Sequence, residues 1–177
     1  MIRKPEPIGV WLDKYVAKVP DEGLLEGFKR QTQESLALLS SLTTEQISYR
    51  YAPGKWDLRE MLIHLIDTER LFAFRALCFA RGEKQPLPGF DENEYVKNSH
   101  VEHREWKSLL EEYIVVRTST VALFAGFSLE TLNNTGIANG NPMSVVALGF
   151  ATIGHEMHHL QVMQERYLSA FNRKMMN

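Results

Sequence analysis

The sequence has one cysteine and no long apolar run, and each absence excludes a class of protein. Cys78 cannot form a disulfide within the chain, and its segment is apolar, so we expect a small buried side chain in a reducing compartment. No window approaches 18 consecutive apolar residues, which excludes a transmembrane helix. Pro5 and Pro7 interrupt the N-terminus where a signal peptide needs an apolar stretch. These features predict a cytoplasmic protein that does not bind membranes.

A strong excess of either charge is also missing. The formal net charge is −2 and the sequence pI is about 6.3, so the molecule offers no basic field for nucleic acid. Hydrophobic residues make up 44% of the 177 residues, which is enough to bury a core. We therefore predict a single domain over residues 1–177 and exclude nucleic acid as a partner.

Hydrophobic residues recur at helical spacing in four long segments, which are separated by stretches rich in Gly, Pro and Asn. We find no convincing strand pair and no internal repeat. The pattern predicts an all-α fold, a four-helix bundle, with a long loop over residues 83–99 between the second and third helices. Such a loop is often a lid or a binding element. The four predicted helices run from about Asp21 to Ser41, from Trp56 or Asp57 to Arg81, from Val101 to Phe127 and from Asn141 to Phe171.

Local signals predict where some of these helices begin and end. Asp57 followed by Glu60 is typical of a capping box, and Gly82 is a natural stop after the second helix. Asp21 is the expected N-cap of the first helix. The fourth helix has two competing starts, because Pro142 suits a first turn and Ser144 suits an N-cap.

Three of the six histidines are candidates for a metal site. His155 and His159 are four residues apart, so they lie on one face of the fourth helix and continue its apolar stripe. His64 lies midway along the second helix, among apolar neighbours. Three imidazoles from two helices, with one position left for water, are typical of an open catalytic site. The alternative for each histidine is a hydrogen-bonded core residue, and this remains open because the spacing of one pair is weak evidence.

Two other metal-enzyme patterns fit less well. The segment from His155 to His159 matches the zinc-protease pattern H-E-x-x-H, with Glu156 as general base. The extended form of that motif needs Gly at position 162, where this chain has Val162. A di-iron carboxylate bundle needs two Glu-x-x-His pairs, and only Glu156 with His159 supplies one.

Several longer segments, in order and with similar gaps, resemble the DinB superfamily, in particular its YfiT-like metal-dependent branch. The resemblance covers most of the chain, and Asp57 departs mildly from the Ser or Thr that many relatives carry. It implies a four-helix bundle with a divalent ion held by His64, His155 and His159, and leaves His158 as a neighbour. The segments that carry the resemblance are Tyr51–Arg70, Phe74–Leu77, Arg81–Gly82, Leu87–Asn93, Gly154–Leu160 and Glu165–Leu168.

Two acidic residues are candidates for supporting roles. Asp67 could orient a ligand imidazole, or it could be a surface carboxylate in an ion pair. Glu156 could accept a proton from bound water, or it could face a neighbouring helix. Arginines of the second helix could hold an acidic substrate, although bundle salt bridges explain them more simply; they are Arg70, Arg75 and Arg81.

The site chemistry leaves the reaction open. Three neutral ligands leave the ion its full charge, which lowers the pKa of bound water and suits a hydrolase. The same position could hold a thiolate, and some members of the family transfer low-molecular-weight thiols, with a stress or detoxification role. A non-enzymatic binding module braced by its ion is the third interpretation. Zinc is the expected ion and nickel the next. The family resemblance also implies a small-molecule substrate and a homodimer.

Overall fold

Four long helices dominate the structure, as the hydrophobic periodicity predicts. The computed structural model describes residues 2–7 and 10–175, with the backbone alone at residues 172, 174 and 175. A 3₁₀ turn covers Val101–His103, and a π-helical turn covers Met163–Leu168. In chain order the α-helices are α1 (Asp13–Val16), α2 (Leu24–Ser40), α3 (Thr44–Ile47), α4 (Leu58–Ala80), α5 (Glu92–Asn98), α6 (Trp106–Ala125), α7 (Leu129–Leu132), α8 (Val145–Val162) and α9 (Ser169–Met175).

The ends of α4 follow the predicted local signals. The Asp57 side chain accepts hydrogen bonds from the backbone N–H of Arg59 and of Glu60, and the Glu60 side chain accepts one from the Asp57 N–H, which completes the capping box. Gly82 follows the helix with φ +81°, a left-handed conformation that favours glycine. The N–H of Glu83 then donates to the Cys78 carbonyl oxygen at 2.9 Å, which closes the helix end.

Three of the predicted helix starts differ from the structure. The start predicted at Val101 falls in the 3₁₀ turn, and α6 begins at Trp106. Gly23, not Asp21, is the N-cap of α2. At α8, the Ser144 hydroxyl accepts a hydrogen bond from the Ala147 N–H at 3.2 Å, so Ser144 rather than Pro142 begins the helix. Pro142 lies instead in a short strand, where its missing N–H is tolerated at the sheet edge.

A β-hairpin between α7 and α8 is missing from the sequence-based prediction. Strand β1 (Thr135–Ala138) pairs antiparallel with β2 (Asn141–Ser144). Asn139 and Gly140 form its turn, both with positive φ, and Asn-Gly is a strong signal for such a hairpin. Leu87 from the long connection adds a parallel bridge to Ala138, so the connection and the hairpin are held together.

The helices are arranged so that successive long helices are not always neighbours. Both α2 and α4 pack against α6 and against α8, which places α2 and α4 at opposite corners of the bundle. The buried apolar residues form two clusters, and each long helix runs from one cluster to the other. Helices α2 and α8 run in one direction, and α4 and α6 run in the other.

This topology explains the long connection predicted between the second and third helices. Since α4 and α6 are parallel neighbours, the chain must return along the length of the bundle between them. The connection begins near the first apolar cluster, which contains Phe79, and reaches the second cluster with Val96 and Val101. Helix α5 lies within this connection.

A layer of buried polar side chains separates the two apolar clusters at the same level of all four long helices. It contains residues from α2, α4, α6 and α8, and the histidine cluster lies within it. None of the described helices is long and apolar enough to cross a membrane. The polar residues of the layer are Gln31, Ser35, His64, Thr68, Glu69, Arg117, Thr120, Thr152, His155 and Glu156.

Candidate metal centre

The structure brings together the three histidines that the sequence singles out. His64 comes from α4, and His155 and His159 come from adjacent turns of α8, which packs against α4. The Nε2 atom of His155 lies 3.2 Å from Nε2 of His64 and 3.1 Å from Nε2 of His159. The ligand atoms of these three side chains all lie within 4.8 Å of one another, which is close enough to hold one ion. Among the described residues, this is the cluster of histidine, cysteine or acidic side chains that meets this condition.

The spacing of these nitrogens fits a divalent metal ion. Two nitrogens bound to one tetrahedral zinc ion, each at about 2.1 Å, lie roughly 3.4 Å apart. The two observed separations, 3.2 and 3.1 Å, are close to that value. Hydrogen bonds account for the cluster less well, because a neutral imidazole has a single N–H and His155 Nε2 faces two other Nε2 atoms. An ion accepts all three lone pairs at once.

Burial keeps these imidazoles neutral, which is the state that binds a metal. It lowers the pKa of His64 to about 4. Burial, with smaller contributions from His64 and His158, lowers the pKa of His159 to about 3. The pKa of His155 is also well below its ordinary value, first because of burial and then because of the other histidines. At neutral pH, metal binding therefore has no proton to displace from these rings.

The histidines open onto a pocket of about 380 Å³. Aromatic rings surround them: Trp56 lies 5.0 Å from His64 and Tyr15 lies 5.1 Å from His155, between ring centroids. The Oγ1 atom of Thr68 is buried in this wall without a described hydrogen-bond partner. The volume suits a small molecule. The pocket is lined by Trp11, Lys14, Tyr15, Trp56, His64, Thr68, Phe72, Arg75, Phe90, Glu92, Asn139, His155, His158 and His159.

The N-terminal helix α1 supplies one wall of this pocket, and a glycine allows it to approach. A Cβ atom added to Gly154 would overlap the backbone carbonyl of Tyr15. Only a glycine at this position lets α1 pack directly on α8, beside His155. The sequence-based prediction includes neither α1 nor this contact.

Behind His155, Glu156 belongs to a buried hydrogen-bond network rather than to the pocket wall. Its carboxylate accepts hydrogen bonds from Ser35 at 2.5 Å, from Tyr113 at 2.6 Å and from Arg117. Arg117 also donates to Glu69, from Nε at 2.9 and 3.2 Å and from Nη2 at 2.8 Å. Burial alone opposes the charge of Arg117, but Glu156 and Glu69 hold its pKa well above the ordinary value. The Glu156 side chain thus faces neighbouring helices, as one of the two sequence interpretations states.

Sequence reasoning did not single out Arg117, Tyr113 or Ser35. Arg117 follows Tyr113 by four residues on α6, so both lie on the inward face of that helix, and this periodicity was the available signal. Each partner comes from a different helix, which the sequence does not reveal.

The remaining candidates lie at the edge of the site or outside it. Asp67 accepts a hydrogen bond from Arg70 at 3.4 Å, and no described hydrogen bond joins it to a histidine. Arg70 also pairs with Glu112 at 2.6 Å. His158 is half-buried, lines the pocket and has a lowered pKa, because of burial and then of Lys18 and Lys14.

Comparisons with known proteins agree with this fold. The family model of the DinB superfamily matches residues 28–163. A solved structure from Bacillus subtilis, YfiT, is similar over 93% of this chain and 91% of its own, with 15% sequence identity and a TM-score of 0.72. That protein is described as a probable metal-dependent hydrolase with an unusual four-helix bundle topology. No curated protein matches the sequence significantly.

Proposed function

The chain belongs to the DinB superfamily, and from that premise we propose that it is a metal-dependent hydrolase whose divalent ion is held by His64, His155 and His159. One observation carries the proposal: three neutral imidazoles, those of His64 and His155 buried and that of His159 partly exposed, converge at the wall of an open pocket, with Nε2 of His155 3.2 Å from that of His64 and 3.1 Å from that of His159. The description of YfiT as a probable metal-dependent hydrolase supports the same reaction class.

Each part of the site has a separate task in this proposal. When bound, a divalent ion supplies Lewis-acid chemistry for hydrolysis. His155 is held from behind, because Glu156, the next residue, ties α8 to α2 and α6 through Ser35, Tyr113 and Arg117. The rings of Tyr15, Trp56 and Phe72 exclude water from the sides of the histidine cluster. The open pocket admits a small-molecule substrate to the remaining side.

Two alternatives use the same residues. The ion could activate a low-molecular-weight thiol for transfer in a stress or detoxification role, or it could simply brace the bundle. The open pocket favours an enzyme over bracing, because a structural ion is usually enclosed by four protein ligands. A thermal-shift screen of the metal-loaded protein against such thiols tests the first alternative. A rise in melting temperature with a thiol, seen only when the metal is bound, would favour thiol transfer over hydrolysis or bracing.

The proposed ion is zinc, with nickel as the next choice, because imidazole binds both and three histidines do not select between them. A cytoplasmic location and a homodimer also stay predictions. A dimer is supported by exposed apolar side chains on the outer faces of α4 and α6, which are Phe74, Leu77, Ile114 and Val115. Light scattering on the purified protein would measure its mass.

The proposal predicts about one ion per chain in protein purified without a nickel column. His64→Ala, His155→Ala and His159→Ala should each lower the metal content at least tenfold, because each removes one of three ligands. His103→Ala is the matched control, since its side chain is 79% exposed and lies outside the cluster. Metal analysis and the hydrolysis of a panel of chromogenic esters, with and without chelator, are the measurements. Full metal content in all three variants would refute the metal site.

A further inference from the structure

Arg75 of α4 is a buried cation without a buried anion. Its side chain is 3% exposed, and its Nη2 donates to the Pro88 carbonyl oxygen at 2.9 Å. The guanidinium also lies 6.0 Å from the centroid of the Phe90 ring. Among the residues that the structure describes, no carboxylate forms an ion pair with it. A guanidinium has five N–H donors, so most of those in Arg75 lack a protein acceptor.

The other buried arginine of the bundle shows how such a charge is usually accommodated. Arg117, also 3% exposed, is held between the carboxylates of Glu69 and Glu156. Burial lowers the pKa of Arg75, whereas the two carboxylates raise that of Arg117. Buried charges in proteins are generally paired. Arg75 therefore lacks the anionic partner that a buried guanidinium usually has.

The free side of Arg75 borders the same pocket as the histidines. His64, Thr68, Phe72 and Arg75 follow one another at spacings of three or four residues, so they share one face of α4, and all of them line the pocket. At 1.5 Å per residue, His64 and Arg75 are about 16 Å apart along the helix axis. The side chains of His64 and Arg75 therefore enter the pocket wall from levels of α4 that are about three turns apart.

The charge of the pocket wall also favours an anion. Lys14 lies at the exposed rim, with its Nζ 4.8 Å from the centroid of the Tyr15 ring. Glu92 is the acidic residue of the wall, and it is exposed on α5. A divalent ion on the three histidines would add further positive charge.

We propose that Arg75 binds an oxyanion, a carboxylate or a phosphate, on an elongated small-molecule substrate whose other end reaches the three histidines. This inference deepens the proposed function and rests on it. Arg75 forms a two-pronged hydrogen bond with the oxyanion, for which its planar guanidinium is suited. The substrate class is therefore anionic small molecules with an apolar portion that fits between the aromatic walls.

The test measures the binding of matched charged and neutral probes by titration calorimetry, with metal-free and zinc-loaded protein. The pairs are phenylacetate with phenylacetamide and phenyl phosphate with benzyl alcohol. The wild type should bind a charged probe at least tenfold more tightly than its neutral counterpart, even without zinc. Arg75→Gln should abolish this preference, and Arg75→Lys should keep part of it. Arg81→Gln, at an exposed arginine just after α4, is the matched control. The pair with the larger ratio distinguishes carboxylate from phosphate.

The inference is overturned if the metal-free wild type binds a charged probe no more tightly than its neutral counterpart, or does not bind it detectably. It is also overturned if the preference for the charged probe survives in Arg75→Gln. If circular dichroism shows that Arg75→Gln does not fold, the test rests on the affinities of the wild type and of Arg75→Lys for the charged and neutral probes. The zinc content of the same samples keeps the two proposals apart. Zinc bound without any anion preference contradicts the role of Arg75 alone. An anion preference in protein that fails to take up zinc when zinc is supplied contradicts the metal site and leaves Arg75 as an anion-binding residue.

Discussion

His64 and His159 should make the stability of the metal-free protein depend on pH. Their pKa values in the folded state are about 4 and about 3, against 6.5 for an ordinary histidine. Between these values the unfolded chain binds protons that the folded protein does not. Folding is therefore fully stabilised above pH 6.5, and the stabilisation is lost as the pH falls towards 4. Urea unfolding of chelator-treated protein, from pH 7.5 to 5, should show a falling midpoint.

The His64→Gln variant isolates this effect, because glutamine does not titrate. Its urea midpoint should therefore fall less between pH 7.5 and 5 than that of the wild type. A wild-type midpoint that stays constant over this range would show that the rings are not buried in their neutral form. Zinc should raise the wild-type midpoint across this range without changing its slope, because the folded rings carry no proton with or without the ion.

At the same scale, the sequence predicts which residues share a helix face, but it does not predict which residues from other helices contact them. The spacing of His155 and His159 indicates their common face, because that relation is set by the geometry of one helix. Arg75 and Arg117 look alike in the sequence, yet one is paired with two carboxylates and the other with none. That difference depends on which helices become neighbours, which is a property of tertiary packing.

At the scale of elements, the contact between α1 and α8 should depend on Gly154. Gly154→Ala places a methyl group against the Tyr15 backbone, which cannot rotate away. We expect a loss of about 1–3 kcal/mol in the free energy of unfolding, as for other overpacked sites, and weaker metal binding because α1 shifts beside His155. Urea unfolding and metal titration would measure both.

Gly126→Ala is the control for this substitution. Gly126 has a φ of −83°, and a Cβ there would lie 3.5 Å from the nearest atom, so the free energy of unfolding should change little. Equal behaviour of the two variants would mean that the close approach of α1 does not constrain the site.

The helix ends show why some elements are predictable from sequence. Asp57 with Glu60 and Gly82 act within one turn of the chain, so their effect can be inferred from adjacent residues. Helix α1 has four residues, too few for a hydrophobic period, and it is held by packing on α8. The hairpin strands also have four residues each. The turn at Asn139–Gly140 was a usable signal, but the small strands around it carry little alternation.

At the scale of the whole molecule, Arg117 should be a main determinant of stability. Its contacts with Glu69 and Glu156, and with Thr32 at 3.1 Å, join α6 to α4, α8 and α2. Arg117→Met leaves two carboxylates buried without a cation, which typically costs about 3–5 kcal/mol. We expect a single unfolding transition at a lower urea concentration, as for one domain over the whole chain.

The triple variant Arg117→Met, Glu69→Gln and Glu156→Gln should recover part of this loss, because it removes the unpaired charges as well. Lys107→Ala is the exposed comparison, with a side chain 84% exposed and an ion pair to Glu111 at 3.9 Å, and it should cost less than about 1 kcal/mol. A triple variant no more stable than Arg117→Met would assign the loss to packing rather than to charge.

The positions of the three tryptophans give the protein an optical reporter of the proposed metal site. Trp56 is in contact with His64, and Trp11 lines the same pocket. Trp106 packs in the second apolar cluster, with its indole N–H bonded to the Leu39 carbonyl oxygen. An ion with unpaired electrons, such as Ni²⁺ or Cu²⁺, quenches nearby indole emission and spares distant indoles. The intrinsic fluorescence therefore follows occupancy of the histidines by such an ion directly, without a label.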